Sequence, residues 1–247
     1  MPKNIFLELE YLGTNYFGFQ IQNNKKKEIT IQEVLENALK KFFRTDIRVI
    51  YSSRTDRGVH AKAQAVNFKV CTKIPLFGIK TATNYLLPSD IRIKKIKEVS
   101  LDFHARFLAK SKVYRYTILN RKEPSVFWND FCWHINRDIN IDLMRKTSKK
   151  LTGNRDFSLF AKEPKIYKNC QRNLRKIEIK KRGSFIYIDI EAQGFLRNMA
   201  RNIVSFLVRV GIKEIVSKNV NLTLNKKMPY SNKPAPACGL CLCKVKY

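Results

Sequence analysis

Acidic residues are scarce in this chain. Among 247 residues, 20 Asp and Glu stand against 49 Lys and Arg, a formal net charge of +29. The excess favours polyanions, nucleic acid first among them, although the predominance of Lys over Arg and the many Asn and Ile are also what an AT-rich coding sequence produces. Histidine is scarcer still. His60, His104 and His134 are scattered, which leaves a metal-dependent nuclease or deaminase without a ligand set. Long apolar runs are missing too: no stretch approaches the roughly 18 uncharged residues of a membrane span, and "MPKNIFLELEYLG" goes straight into alternating residues without an apolar signal core. The expectation is a soluble, cytoplasmic protein with no membrane contact. Six cysteines, Cys71, Cys132, Cys170, Cys238, Cys241 and Cys243, are too few and too unevenly placed for a disulfide framework. "CGLCLC" invites a zinc reading, but only Cys132 and His134 in "CWH" could supply a second ligand pair. In a strand, Cys241 and Cys243 share one face and read as small buried hydrophobes, so no metal is expected.

What is present reads as alternating strands and helices. Ile5, Leu7, Leu9 and Tyr11 alternate with Phe6, Glu8 and Glu10, the period of a half-buried strand. After the polar loop "QNNKKKE", Thr30 and Glu33 form a capping-box pattern, and Ile31, Val34, Leu35, Ala38, Leu39 and Phe42 fall on one helical stripe. "DIRVIYSS" and "AQAVNFKV" read as strands, "FGIKTATNYLL" as a helix ended by Pro88, and "IRIKKIKEV" as a strand. The second half repeats the grammar: "KVYRYTIL" a strand, "IDLMRKTSKKL" a helix capped by Asp142, "LRKIEIKK" and "FIYIDIEA" a hairpin across "RGS", "FLRNMARNIVSFLVRVG" a helix, "GLCLCKVKY" a last strand. No proline- or serine-rich linker separates the halves. The fold class is α+β, with two interlocked subdomains, 1–105 and 106–247, sharing an extended sheet.

Against the cationic background, the octapeptide "RTDRGVHA" keeps one acid, Asp56, between Arg54 and Arg57. An Asp two residues before a Gly is often a turn residue whose side chain bonds nearby amides. The flanking guanidinium groups favour its ionised form, which suits nucleophilic or electrostatic work and not proton donation. Turn and catalysis both remain open on these residues alone.

Two further stretches carry candidate chemistry. In the helix expected to start near Phe195, the stripe Phe195, Met199, Ile203, Phe206 and Val210 leaves Arg197 and Arg201 four apart on another side. They form either a solvated face or a pair in which one arginine meets a buried carboxylate and the other a phosphate. In "FHARFLAKSKVYRY", Tyr114 and Tyr116 alternate on a strand with Arg115 between them. Aromatic faces interleaved with cations suit stacking against unpaired bases; two tyrosines on one strand face are equally ordinary core.

Taken together, these stretches resemble the tRNA pseudouridine synthase A (TruA) family. "YLGTNYFGFQIQ" is similar to its opening Tyr-Asp-Gly-Thr-x-Tyr-x-Gly-Trp-Gln, "RTDRGVHA" to its Arg-Thr-Asp-x-Gly-Val-His-Ala signature, and "NYLLPSDIRI" to its Asn-x-x-Leu-Pro-x-Asp-Ile segment. "FHARF", the tyrosine strand, "FLRNMARNIV" and "APACGLCL" follow in family order. Ser52 and Ser53 stand where Gly or Ala is usual, Phe19 replaces a Trp, Ser205 replaces a Gly, and Arg57 fills the variable slot beside Asp56.

The resemblance implies a pseudouridine synthase fold, an α+β core whose extended, largely antiparallel sheet is flanked by helices, and a cofactor-free isomerisation of uridine to pseudouridine in the anticodon arm of tRNA, at positions 38, 39 and 40, by a homodimer. Asp56 matches the catalytic aspartate, which attacks either the ribose C1′ or the uracil C6. Arg201 matches the arginine that pairs with that acid, Tyr114 the tyrosine that packs on the target base, and Leu240 an apolar residue of the uracil pocket. Arg54 and the stretch Phe103, His104, Ala105, Arg106 and Phe107 match tRNA-contacting positions, as do Gln171 and Arg172, more loosely, in "KNCQRNLRKI". The rival is a non-catalytic basic RNA-binding protein, to which charge and aromatics apply equally; the lone acid discriminates, since a binding module gains nothing from Asp56.

Overall fold

The computed structural model describes residues 2–22, 28–216, 219–226 and 233–247. Most of "QNNKKKE", at 23–27, lies outside them. Two compact units form: Met1–Lys110 with Cys241–Tyr247, and Ser111–Leu240. The sequence places the boundary near residue 105 and the last strand in the second unit. The difference has a physical cause, since Cys241 and Leu242 pair with His60 and Ala61 of the first unit and the Lys110 amide bonds the Lys246 carbonyl.

In the first unit, β1 (Pro2–Tyr11) lies between β3 (His60–Cys71) and β4 (Ile91–Val99), antiparallel to both. The short β2 (Ile50–Tyr51) pairs antiparallel with β3, and β10 (Leu240–Lys246) pairs parallel with it. The alternation of β1 holds for Ile5, Leu7 and Leu9, all fully buried, but Phe6 is buried as well. Its ring meets Phe103 and Tyr247 edge-on at 5.7 and 5.9 Å, so the second face of β1 is covered by aromatics remote in sequence.

Helix α1 (Ile31–Phe43) begins where Thr30 Oγ1 accepts the Glu33 amide and ends at Arg44, φ 56°. Its stripe buries Ile31, Leu35, Ala38 and Leu39. Glu36 is buried too, accepting from Gln32 Nε2, the Val49 amide and Arg48. That carboxylate holds the chain before β2, which is why the expected strand "DIRVIYSS" reduces to two ladder residues. Helix α2 (Leu76–Leu86) packs on β4 and stops before Pro88, as its sequence requires.

The second unit orders its strands β5 (Ser111–Asn120), β9 (Phe185–Ala192), β8 (Gln171–Arg182) and β7 (Gly153–Asp156), all antiparallel. The short β6 (Trp133–Ile135) runs parallel to the end of β5. Helix α3 (Ile141–Lys149) packs on β8 and on α4 (Met199–Gly211). The cap of α3 is Asn140, whose side chain accepts the Leu143 amide at 2.9 Å; Asp142, expected there, lies two residues on in the first turn and pairs with Arg145 at 3.2 Å. Helix α4 starts four residues later than expected, because the Met199 amide closes a turn on Leu196 and Asn198 takes φ 62°. A one-turn helix, α5 (Val220–Leu224), precedes β10. No helix among the described residues is long and apolar enough to cross a membrane. The architecture is mixed α+β with a large, mostly antiparallel sheet and flanking helices.

Candidate active site

Asp56 lies between β2 and β3 in a loop shaped from several sides. Its carbonyl accepts the Val59 amide at 3.1 Å, closing a four-residue turn with Gly58 third at φ 75°. A turn of this kind requires a left-handed residue there, which accounts for the glycine two places after the acid. Arg54 and Arg57 are exposed, Thr55, Val59 and His60 are buried, and Asp56 is half-buried. The Arg57 guanidinium lies 4.0 Å from the centre of the Phe17 ring.

The segment after β1 is pressed against this loop. Phe19 donates its amide to the Thr55 carbonyl at 3.1 Å, the Gly58 amide reaches the Tyr16 carbonyl at 3.4 Å, and the Gly13 amide donates to His60 Nδ1 at 3.0 Å. The last bond leaves the imidazole proton on Nε2. A Cβ on Gly13 would fall 2.1 Å from the Val59 carbonyl oxygen; on Gly18, already at φ 85°, it would fall 2.6 Å from that of Thr55. Both glycines are therefore needed for close approach of two backbones. Tyr16 is tied down in turn, its hydroxyl donating to Asp90 Oδ1 at 2.6 Å, and burial together with the Asp90 charge pushes its phenol well up. Asn84 bonds both the amide and the carbonyl of Ile93. Much of "YLGTNYFGFQ" and "NYLLPSDIRI" thus serves as scaffold for the acid loop.

Beneath the loop lies a side chain that no pattern in the sequence singles out. Gln64, fully buried on β3, accepts from Ser52 Oγ at 2.8 Å and the Ser53 amide at 3.3 Å, and donates to the Ser53 carbonyl at 2.8 Å and to Tyr11 Oη at 3.5 Å. Tyr11 Oη in turn shares a 2.8 Å hydrogen bond with Thr55 Oγ1. Three residues farther along β3, Asn67 plays a parallel part for "FHARF": it accepts the Ala105 amide at 2.9 Å and donates to the Phe103 carbonyl at 3.2 Å and to Asn4. Asn4 donates to the carbonyls of Ser100 and Phe103. Fastened in this way, Ala105 is fully buried, while Arg106 and Phe107 are exposed and His104 is half-buried. His104 Nδ1 accepts the amides of Arg106 and Phe107, its ring stacks on Phe107 at 4.2 Å, and the Arg106 guanidinium lies 5.7 Å from that ring's centre. The product is a cation and two stacked rings on a rigid turn.

In the second unit the two tyrosines of β5 lie on its covered face. Tyr114 and Tyr116 are both buried, Tyr114 edge-on to Phe195 at 5.0 Å. Arg115, on the opposite face, makes two 2.7 Å bonds to Asp189. Tyr116 donates its hydroxyl to the Pro236 carbonyl at 2.8 Å, and Gly239 sits so close that a Cβ would fall 2.6 Å from the ring. Burial, with help from Cys238 and against the pull of Arg201, holds the Tyr116 phenol well above its ordinary range.

Arg201 is half-buried in the first turn of α4; its Nε donates to the Ala235 carbonyl at 2.6 Å and its carbonyl accepts the Ala235 amide at 3.3 Å. Arg197 does not share a helix flank with it. It lies in the turn before α4, its amide donating to Tyr167 Oη and its guanidinium 3.2 Å from Glu163. Leu240, at the start of β10, is buried. Gln171 is exposed, and Arg172 folds back onto the carbonyls of Asn169 and Gln171.

Cys241 and Cys243 share a thiol hydrogen bond, which with burial raises the Cys241 thiol; burial raises those of Cys132 and Cys238. Metals take the thiolate, which each of these shifts disfavours. Among the described residues no group of three or more His, Cys, Asp and Glu could hold a metal ion.

A family model described as tRNA pseudouridine synthase matches residues 9–108 and 147–247. The chain is 42% identical over 246 residues to "tRNA pseudouridine synthase A" of Thermoanaerobacter sp. (strain X514), covering 99% of this chain and 100% of that protein. It is 39% identical over 253 residues to "tRNA pseudouridine synthase A 2" of Clostridium perfringens (strain 13 / Type A), with the same shares covered. A solved chain in "Crystal structure of the archaeal box H/ACA sRNP Nop10-Cbf5 complex" overlaps 83% of this chain and 44% of its own, at 13% identity and a TM-score of 0.37, too slight a likeness to bear on function.

Proposed function

Because the chain belongs to the tRNA pseudouridine synthase A (TruA) family, whose members are isomerases, we propose that it converts uridine to pseudouridine at positions 38, 39 and 40 of the tRNA anticodon arm, with Asp56 as the nucleophile. The reaction replaces the bond between uracil N1 and ribose C1′ by one between C5 and C1′; C5 gives up a proton and N1 takes one. No atom is gained or lost, so no co-reactant is required. The carboxylate attacks either C1′ or C6, the glycosidic bond breaks, the uracil turns, and C5 rejoins the ribose as Asp56 leaves. This needs an ionised acid held at a fixed point.

The observation that carries the reading is the acid turn itself: one carboxylate, between two exposed arginines, in a loop fixed through Thr55, Gly58 and Val59. The other roles follow the family resemblance. Arg201 holds the acid charged and aimed, Tyr114 packs on the everted base, and Leu240 lines the uracil pocket. Arg54 and the exposed face of His104, Arg106 and Phe107 contact tRNA, while Phe103 and the buried Ala105 support that turn; Gln171 and Arg172 form a second contact.

Extrusion of the target uridine costs a few kcal/mol, offset by aromatic packing and phosphate contacts. Recognition through backbone and shape, with little base readout, suits one enzyme serving three adjacent positions. The enzyme acts in the cytoplasm as a homodimer on this reading. The test is to incubate purified protein with unmodified tRNA transcripts and map pseudouridine by chemical labelling. Signal at 38, 39 or 40, wherever uridine occurs there, is the expected result; signal only in another arm would overturn the positional assignment.

A further inference from the structure

We infer that Gln64 and Tyr11 are positioning residues for the reaction, setting the place of Asp56 through Ser52, Ser53 and Thr55. The inference rests on Asp56 acting as proposed above. Gln64 is fully buried, and each of its four hydrogen-bonding capacities is used: two acceptances, from Ser52 Oγ and the Ser53 amide, and two donations, to the Ser53 carbonyl and Tyr11 Oη. All four go to the approach of the acid loop or to the tyrosine that reaches it. Tyr11, itself buried, ends at the hydroxyl of Thr55, the residue next to Asp56.

Stability alone does not call for such a network. A buried amide and phenol gain little over apolar groups of the same shape, since both lose hydration on folding. What the network adds is definition. Gln64 stands on β3, which is paired with β1 through Leu9, and Tyr11 stands on β1 itself, opposite Ala61. Two adjacent strands thus grip the loop from below, while Phe19 holds the Thr55 carbonyl and the turn to Val59 fixes the far side. A nucleophile must meet one atom of an everted nucleoside, and a misplacement of about 1 Å can lower the rate on the order of 10²-fold. The tRNA-facing cations are not part of this network, so its loss should slow the chemical step and spare binding.

The test measures single-turnover conversion at saturating enzyme, tRNA affinity and thermal midpoint for Gln64→Met, Tyr11→Phe, Thr55→Val and Thr55→Ser, with Asp56→Asn alongside. Tyr11→Phe and Thr55→Val should slow conversion roughly 10-fold and Gln64→Met up to about 100-fold. Affinity should stay within about twofold, and Thr55→Ser, which keeps the hydroxyl, should recover most of the rate. A purely structural role would lower the midpoint and leave the rate of folded enzyme unchanged. If Gln64→Met does not fold, Tyr11→Phe and the Thr55 pair decide. Folded Tyr11→Phe and Thr55→Val converting at the wild-type rate, with Asp56→Asn inactive, would overturn the positioning role alone; an active Asp56→Asn would instead overturn the reading on which it rests.

Discussion

The two units hold their candidate catalytic groups in different ways. In the first, the loop of Asp56 is fastened by residues beside the acid: Gln64 and Tyr11 from below, the Phe19 amide on Thr55, and the glycine-lined segment pressed against it. In the second, Arg201 itself does part of the holding, its guanidinium and backbone both bonded to Ala235, with Tyr116 gripping Pro236 next along. A substitution at Asp56 therefore leaves these particular bonds in place, since none of them is made by its carboxylate. One at Arg201 removes a functional group and a structural clamp together.

This contrast can be broken or sharpened by substitution. Gly18→Ala should have the largest effect on stability, because φ 85° and a contact of 2.6 Å with the Thr55 carbonyl strain any side chain there. The expected loss is about 2–4 kcal/mol, read as a fall in melting temperature of roughly 5–15 °C. A variant as stable as the wild type would show that the backing segment does not define the acid loop. Arg201→Ala should lose about 1–2 kcal/mol, the carbonyl of the buried Ala235 being left without this donor, and should lower turnover far more than tRNA affinity. Unchanged turnover with a shallower salt dependence would make Arg201 a phosphate contact and abolish the parallel with Asp56.

Tyr116→Phe comes next, at about 1 kcal/mol, since only the bond to Pro236 is removed. A differential scanning measurement separates this from zero, and no change would mean that Tyr116 holds the 235–240 segment by packing alone. Ser53→Ala has the smallest expected effect and the opposite sign. Ser53 Oγ is buried without a hydrogen-bond partner, so its removal should raise stability by up to about 1 kcal/mol, and a loss would reveal a partner such as bound water.

What could be read from the sequence divides along similar lines. Local patterns sufficed for α1 with its Thr30 cap, for β4 and for the hairpin of β8 and β9, because alternation and capping are properties of neighbouring residues. They failed where a competing group or an unmarked backbone conformation intervened. Glu36 takes the Val49 amide and shortens an expected strand, Asn140 outcompetes Asp142 as a cap, and a left-handed Asn198 delays α4, so that Arg197 and Arg201 part company. Asp56 stood out as a lone acid among cations, and the motifs around it carried the family resemblance. The network beneath it did not stand out: a glutamine in "AQAVNFKV" has no periodic or compositional mark, and its part appears only once Tyr11 and Ser53 are folded onto it. Tyr114 and Tyr116 looked alike in sequence, yet only the structure assigns the hydroxyl of Tyr116 to a backbone carbonyl.

The most direct measurement compares Asp56→Asn with the wild-type protein on one unmodified tRNA transcript, following pseudouridine formation and binding in the same preparation. Loss of conversion on the order of 10³-fold or more, with affinity equal or tighter, is the predicted result. Conversion by Asp56→Asn at the wild-type rate would contradict the account, whatever its affinity.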